Sequence, residues 1–145
     1  MKKKLHALLC ALALAGGAAS SLAADANETP ALRGKYLVER VVGCADCHSQ
    51  RDQTGQFVAS TWLGGADLPF APTVPMPAWA THAPAIAGLP SMSDADAVHL
   101  LMHGKKTDGT MLRPPMPVFR LTEEDARAVV AYLRALPKIT PPAAR

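Results

Sequence analysis

Cys44-Ala45-Asp46-Cys47-His48 is the five-residue stretch from which the fold of this 145-residue chain can be read. Two thiols three positions apart near a helical turn point the same way, and an imidazole follows the second without a gap. That spacing is the C-x-x-C-H arrangement of c-type haem attachment. Each thiol can add to one of the two vinyl groups on a single haem edge, while the adjacent imidazole swings under the macrocycle to the iron. Other uses of a cysteine pair fit less well. A thioredoxin-like dithiol belongs after a strand in a βαβ unit, and no strand run precedes Cys44. A zinc site needs two more ligands at comparable spacing, and the sequence holds no second Cys pair. A disulfide across so tight a loop would add little by loop closure.

The residues ahead of the motif account for the third cysteine and for the net charge. Met1-Lys2-Lys3-Lys4 is basic, Leu5 to Ala15 is an apolar run broken only by His6, and Ala18 to Ala24 is rich in small residues. This is the pattern of a secretory signal peptide cut after Ala23 or Ala24. Its apolar core of about a dozen residues falls short of the roughly 20 that span a bilayer. Leu9 stands where a lipoprotein site at Cys10 would want a small residue. The expected organisation is a cleaved signal over 1–24, a short tail over 25–29, a domain over 30–137 and a C-terminal tail over 138–145. The expected destination is the periplasm, with no membrane span in the mature chain.

The full sequence has 15 Lys plus Arg against 12 Asp plus Glu, and with residues 1–24 removed the two signs balance at 12 each. A charge-balanced chain offers no clustered positive field for displacing phosphate counterions, so nucleic acid is not an expected partner. Charged residues at 19% with near-neutral hydropathy exclude both a disordered polyelectrolyte and a multi-span membrane protein.

On either side of the motif the apolar periodicity is helical. Pro30 to Val42 places Leu32, Tyr36, Leu37, Val38, Val41 and Val42 between charged residues, with Pro in the first turn. Ser93-Asp94-Ala95-Asp96 opens a second helix that runs through Val98, Leu100, Leu101 and Met102 to Gly104 as its cap. Thr122 and three acids open a terminal helix, in which Ala126, Val129, Val130, Leu133 and Leu136 recur before Pro137. Three helices without a strand set predict an all-α domain. The long Pro- and Gly-rich stretches from Ser49 to Leu89 and from Lys105 to Phe119 would count against an ordinary compact domain. Around a large apolar cofactor they are tolerable, and two Trp, two Tyr and three Phe are few for a core built from side chains alone.

Iron held by His48 on one side needs a second axial ligand. Arg113-Pro114-Pro115-Met116-Pro117 presents a thioether in a rigid frame ahead of the terminal helix, and Pro75-Met76-Pro77 is nearly the same local frame. Met92, Met102 and Met111 are also near, although a helical Met such as Met102 is usually core filler. From local chemistry alone both Met116 and Met76 remain candidates. Either would complete a His/Met pair, which raises the reduction potential and leaves no coordination position open for substrate.

Taken together these residues resemble a single-haem class I cytochrome c, and particularly the cytochrome c domains of bacterial periplasmic dehydrogenases. The likeness runs through Arg33 to Val38, Gly43 to His48, Leu63-Gly64-Gly65, Ala83 to Gly88, Met92 to Asp96, Asp108-Gly109, Pro114 to Pro117 and Ala131 to Pro137. It implies the class I cytochrome c fold, with three main helices and long loops around one covalently bound haem c and its iron. It implies Met116 as the second axial ligand, with Met76 as the fallback. It also implies that the Pro84 carbonyl accepts the hydrogen bond of the ligating His48, that Ile86 belongs to the haem environment, and that the first and last helices cross near Gly34. The Phe57 to Thr81 stretch departs from the minimal pattern, being longer and richer in proline.

The remaining charged and ring residues have plainer readings. His82, His99 and His103 read as solvent- or partner-facing. His99 and His103 share one helix face at i, i+4, but no third metal ligand appears within helical reach. Lys105, Lys106 and Arg113 flank the Met116 loop and can form a basic rim, whose main effect in docking is on encounter rate and salt sensitivity. The resulting expectation is an electron-transfer protein rather than an enzyme. A dehydrogenase would be its donor, and another cytochrome or an oxidase its acceptor. The alternatives are a haem enzyme or sensor with an open sixth position, or an obligate subunit of a dehydrogenase complex.

Overall fold

Thr29 sets the start of the first helix: its side chain accepts a hydrogen bond from the Leu32 amide, and Pro30 follows at a position that needs no donor. In the computed structural model, which describes residues 28–139, α1 (Pro30–Tyr36) continues into a π-helical turn over Leu37–Val41. A short helix α2 (Ala45–His48) carries the motif, followed by α3 (Asp94–His103) and α4 (Glu123–Ala135). The expected signal segment over 1–24, most of the short tail over 25–29, and the end of the C-terminal tail lie outside the described residues.

The three main helices are where the periodicity puts them, and the first crosses the last at Gly34 as expected, but only part of its apolar set is buried. Leu32, Tyr36 and Val41 are each more than half exposed, while Gly34, Leu37 and Val38 are buried. The reason is the approach of α4. A Cβ at Gly34 would stand 1.9 Å from the Ala128 carbonyl oxygen and 2.9 Å from Tyr132 Cβ, so only glycine lets the two helices close to this distance. Contact is therefore made by the Gly34–Val38 side of α1, not the Leu32–Tyr36 side. The hydroxyl of Tyr132 then donates to Glu39 at 2.6 Å, and Arg33 pairs with Asp125 at 3.0 Å.

Helix α4 buries Ala126, Val129, Val130 and Leu133 as its spacing predicts, and Ala128 and Tyr132 besides. Its buried face is wide because it meets both α1 and α3. Thr122 caps it by accepting from the Asp125 amide, and Ser93 does the same for α3 through the Asp96 amide. Gly104 closes α3 in the left-handed conformation at φ 72°.

Two features go beyond an all-α reading. Ala66–Asp67 (β1) and His82–Ala83 (β2) form a two-residue antiparallel ladder in which Ala66 faces Ala83. The long loops also resolve into small closed units. In the first, Asp52 accepts from the amides of Thr54 and Gln56, the Arg51 guanidinium lies 3.8 Å over the Phe57 ring, and Phe57 meets Trp62 edge to face at 5.5 Å. Such loops satisfy their own backbone and need no helix to cover them.

Candidate functional site

The wall that carries the motif is assembled from backbone contacts. His48 is buried, and its Nδ1 donates to the Pro84 carbonyl at 2.7 Å. A carbonyl only accepts, so the proton sits on Nδ1 and Nε2 keeps its lone pair. Burial pushes the imidazole below the ordinary histidine range, against the opposing pull of the Pro84 carbonyl.

The position of Pro84 follows from its neighbours. The His48 carbonyl accepts from the Gly65 amide at 2.9 Å, and the Ser49 hydroxyl accepts from the Leu63 amide at 2.8 Å. The Leu63 carbonyl in turn accepts from the amides of Ile86 and Ala87. Leu63 is fully buried at φ 54°, a conformation costing on the order of 1 kcal/mol that these bonds hold in place. Gly65 lies flat against residues 83–85, where a Cβ would stand 2.9 Å from the Ala85 amide nitrogen and 3.0 Å from the Ala83 carbonyl. Ser49 and the backbone role of Gly65 carry no sequence signal beyond their nearness to the motif.

Cys44 and Cys47 are both free thiols. Burial raises Cys44 to about 11, and burial, followed by the Asp46 carboxylate, raises Cys47. A catalytic dithiol shows the opposite shift, toward thiolate at neutral pH, so the pair lacks the electrostatics of a redox disulfide centre.

Both thiols and His48 open onto a cavity of about 620 Å³. Leu100 and Leu101 of α3, Val129 and Leu133 of α4, Ile86, Leu89 and Met92 supply apolar wall. Pro84 also lines it. Met116 stands on the wall of the same cavity, whereas Met76 does not line it and is 41% exposed.

The Met116 loop is held from outside. Arg113 donates to the Ala78 carbonyl at 3.1 Å and the Trp79 carbonyl at 3.0 Å, and the Ala80 amide donates to the Pro114 carbonyl at 2.7 Å. Arg113, expected as part of a basic rim, is thus engaged as a clip between two loops while still bordering the cavity. The Pro-rich segment that departs from the minimal pattern is what it grips. Lys106 borders the cavity as well, and Lys105 is exposed. His82, on the rim, pairs with Asp67 at 2.8 Å.

A model of the cytochrome c family matches residues 31–137. The chain belongs to the cytochrome c family. Its cytochrome domain is 32% identical over 112 residues to a fructose dehydrogenase cytochrome subunit from Gluconobacter japonicus, an alignment covering 72% of this chain and 22% of that protein. It is 33% identical over 113 residues to a diheme c-type cytochrome from Cereibacter sphaeroides, covering 74% and 36% respectively. The chain therefore spans about a fifth to about a third of the length of these relatives.

The family implies covalently bound haem and electron transfer, and the residues of this cytochrome fit that group. Close-packed interiors leave few voids larger than a water molecule, so an apolar volume of this size is a binding space. It meets two unpaired thiols and a buried, tautomer-fixed imidazole. Trp79, which precedes Ala80 of the wall in sequence, has a buried Nε1 with no hydrogen-bond partner among the described residues. Among the described residues no helix is long and apolar enough to cross a membrane.

Proposed function

We propose that this cytochrome is an exported, periplasmic one-electron carrier with one haem attached through Cys44 and Cys47 and bound axially by His48 and Met116. The observation that supports Met116 over Met76 is the shared cavity: Met116 and His48 both line it, and Met76 does not; Met92 and Met111 line it too, but only Met116 of the three is framed by prolines on both sides. The bound haem supplies an iron centre that cycles between the ferrous and ferric states. The chain's own residues do the rest. Cys44 and Cys47 anchor the group covalently, and Pro84 holds the His48 ring with Nε2 free to donate. Such an acceptor also makes the imidazole a stronger ligand. The apolar side chains of α3 and α4, with Ile86, keep water from the centre. A sulfur ligand opposite histidine raises the potential and leaves no open coordination position.

The partners are redox proteins, with a dehydrogenase as donor and another cytochrome or an oxidase as acceptor. Similarity to a fructose dehydrogenase cytochrome subunit supports the donor class. The signal segment over 1–24 accounts for export, and the domain over 30–137 acts alone or as a subunit of a dehydrogenase complex. Potentiometric titration of the haem-loaded protein should give a single one-electron wave, and the reduced form should not take up carbon monoxide. Rapid carbon monoxide binding would instead identify a haem enzyme or sensor with an open sixth position. Co-purification of a larger catalytic chain after mild lysis would identify a complex subunit rather than a free shuttle.

A further inference from the structure

On the side of α3 turned away from the cavity, His99 and His103 lie one helical turn apart with ring centroids 4.5 Å from each other and planes tilted by 58°. The opposite side of the helix, Ala97, Leu100 and Leu101, is buried and lines the cavity, so the histidine pair takes no part in holding haem. His103 is exposed and His99 is half-buried.

His99 is held in one orientation. Its Nδ1 donates to the Lys105 carbonyl at 2.8 Å, which fixes the proton on that nitrogen and leaves the Nε2 lone pair free. A backbone carbonyl in this position is the usual outer partner of a metal-binding imidazole, since it sets the tautomer and strengthens the ligand. His103 is the last residue of the helix, next to Gly104, where the unpaired carbonyl ends of the helix carry partial negative charge and favour a cation. With metal–imidazole bonds of about 2.0–2.1 Å, two rings that share one ion have centroids roughly 4.5–5.5 Å apart for ligand angles between about 90° and 120°, and the separation here lies at the near end of that range.

We infer that His99 and His103 form a second metal site, an open two-imidazole site for a divalent late transition ion. Among the described residues no group of three or more His, Cys, Asp or Glu side chains is placed to enclose a metal. The site is therefore completed by water, and its binding is reversible. Imidazole nitrogen selects copper, zinc or nickel over calcium or magnesium. The ion would clamp the last turn of α3, to which the following turn is already joined by the bond from His99 to the Lys105 carbonyl. Through Lys105, which pairs with Met111, and the Gly104 carbonyl, which accepts from the Leu112 amide at 2.9 Å, that turn leads toward the loop bearing Met116.

Zinc is the probe of choice because it cannot exchange electrons with the haem. Isothermal titration of the oxidised, haem-loaded protein with Zn2+ should show one site, weakened at least tenfold in His99→Gln and, separately, in His103→Gln. His82→Gln should bind as the unmodified protein does. Both test positions lie on an accessible helix face, so an unchanged visible spectrum without zinc checks that the variants fold. Zinc should raise the melting temperature of the unmodified protein and not that of either variant. Unchanged affinity in both single variants, or no binding up to millimolar zinc, would overturn the inference.

Discussion

The two walls of the cavity that carry the proposed iron ligands, His48 and Met116, are built in opposite ways. The His48 wall is a lattice of short backbone bonds, in which Gly65, Leu63, Ile86 and Ala87 are tied within a few residues of Pro84. The Met116 wall is a loop whose nearest strong ties run sideways, through Arg113 and Pro114 to residues 78–80. One proposed ligand is part of the domain's interior, and the other is clipped to a neighbouring loop. An electron carrier with the proposed ligand pair would gain from this asymmetry: the attachment side would fix the cofactor, and a sulfur ligand from the other side would raise the potential and close the last coordination position.

Substitutions can break each wall separately. The largest effect is expected at Gly65→Ala. The added Cβ would press on the backbone of residues 83–85 at about 3 Å, at a φ of 89° that alanine rarely adopts. A loss of about 3 kcal/mol in thermal or denaturant unfolding is expected, because the crowded atoms are backbone and cannot swing aside. Arg113→Ala should behave differently. Two carbonyls lose an exposed donor, so stability should fall by only about 1 kcal/mol. Exogenous imidazole should nevertheless bind the oxidised protein roughly tenfold more tightly, about 1.4 kcal/mol, as the loop carrying Met116 loosens. Equal effects on stability and imidazole affinity at both positions would erase the distinction between the walls.

The motif on the His48 wall was legible in the residues and the place of Pro84 in the resemblance, whereas the backbone ties through Ser49 and Gly65 and the clip on the Met116 wall were not. The C-x-x-C-H spacing is local, and so are the capping residues Thr122 and Ser93 and the spacing of Val129, Val130 and Leu133. Each belongs to one turn or one helix, where periodicity carries the information. Contacts between loops have no period. Arg113 reaching Ala78 joins residues 35 positions apart. Arg134 donating to the carbonyls of Gly88, Leu89 and Met92 and to the Asp94 carboxylate is equally invisible, although it ties α4 to the start of α3. The exposed Leu32 and Tyr36 show periodicity misleading: hydrophobic spacing gave the helix, but close approach at Gly34 decided which side packs.

A stability effect no larger than that of Arg113→Ala, and none on imidazole affinity, is expected at Tyr132, which braces the turn leading into Cys44. Burial first, and the hydrogen bond to Glu39 next, raise its hydroxyl to about 12. The protonated phenol is thus favoured by folding. Its contribution is fully present below the ordinary tyrosine value near 10 and is lost as pH rises from there to about 12. Tyr132→Phe should cost about 1 kcal/mol at neutral pH and should flatten that alkaline decline in unfolding experiments. An unchanged alkaline profile would assign the decline to other groups.

The pair Met116→Leu and Met76→Leu tests the central claim most directly. Oxidised c-type haem with a sulfur ligand shows a weak far-red charge-transfer band. The unmodified protein and Met76→Leu should both show it, and Met116→Leu should lose it and gain carbon monoxide binding when reduced. Loss of the band in Met76→Leu with its retention in Met116→Leu would contradict the account.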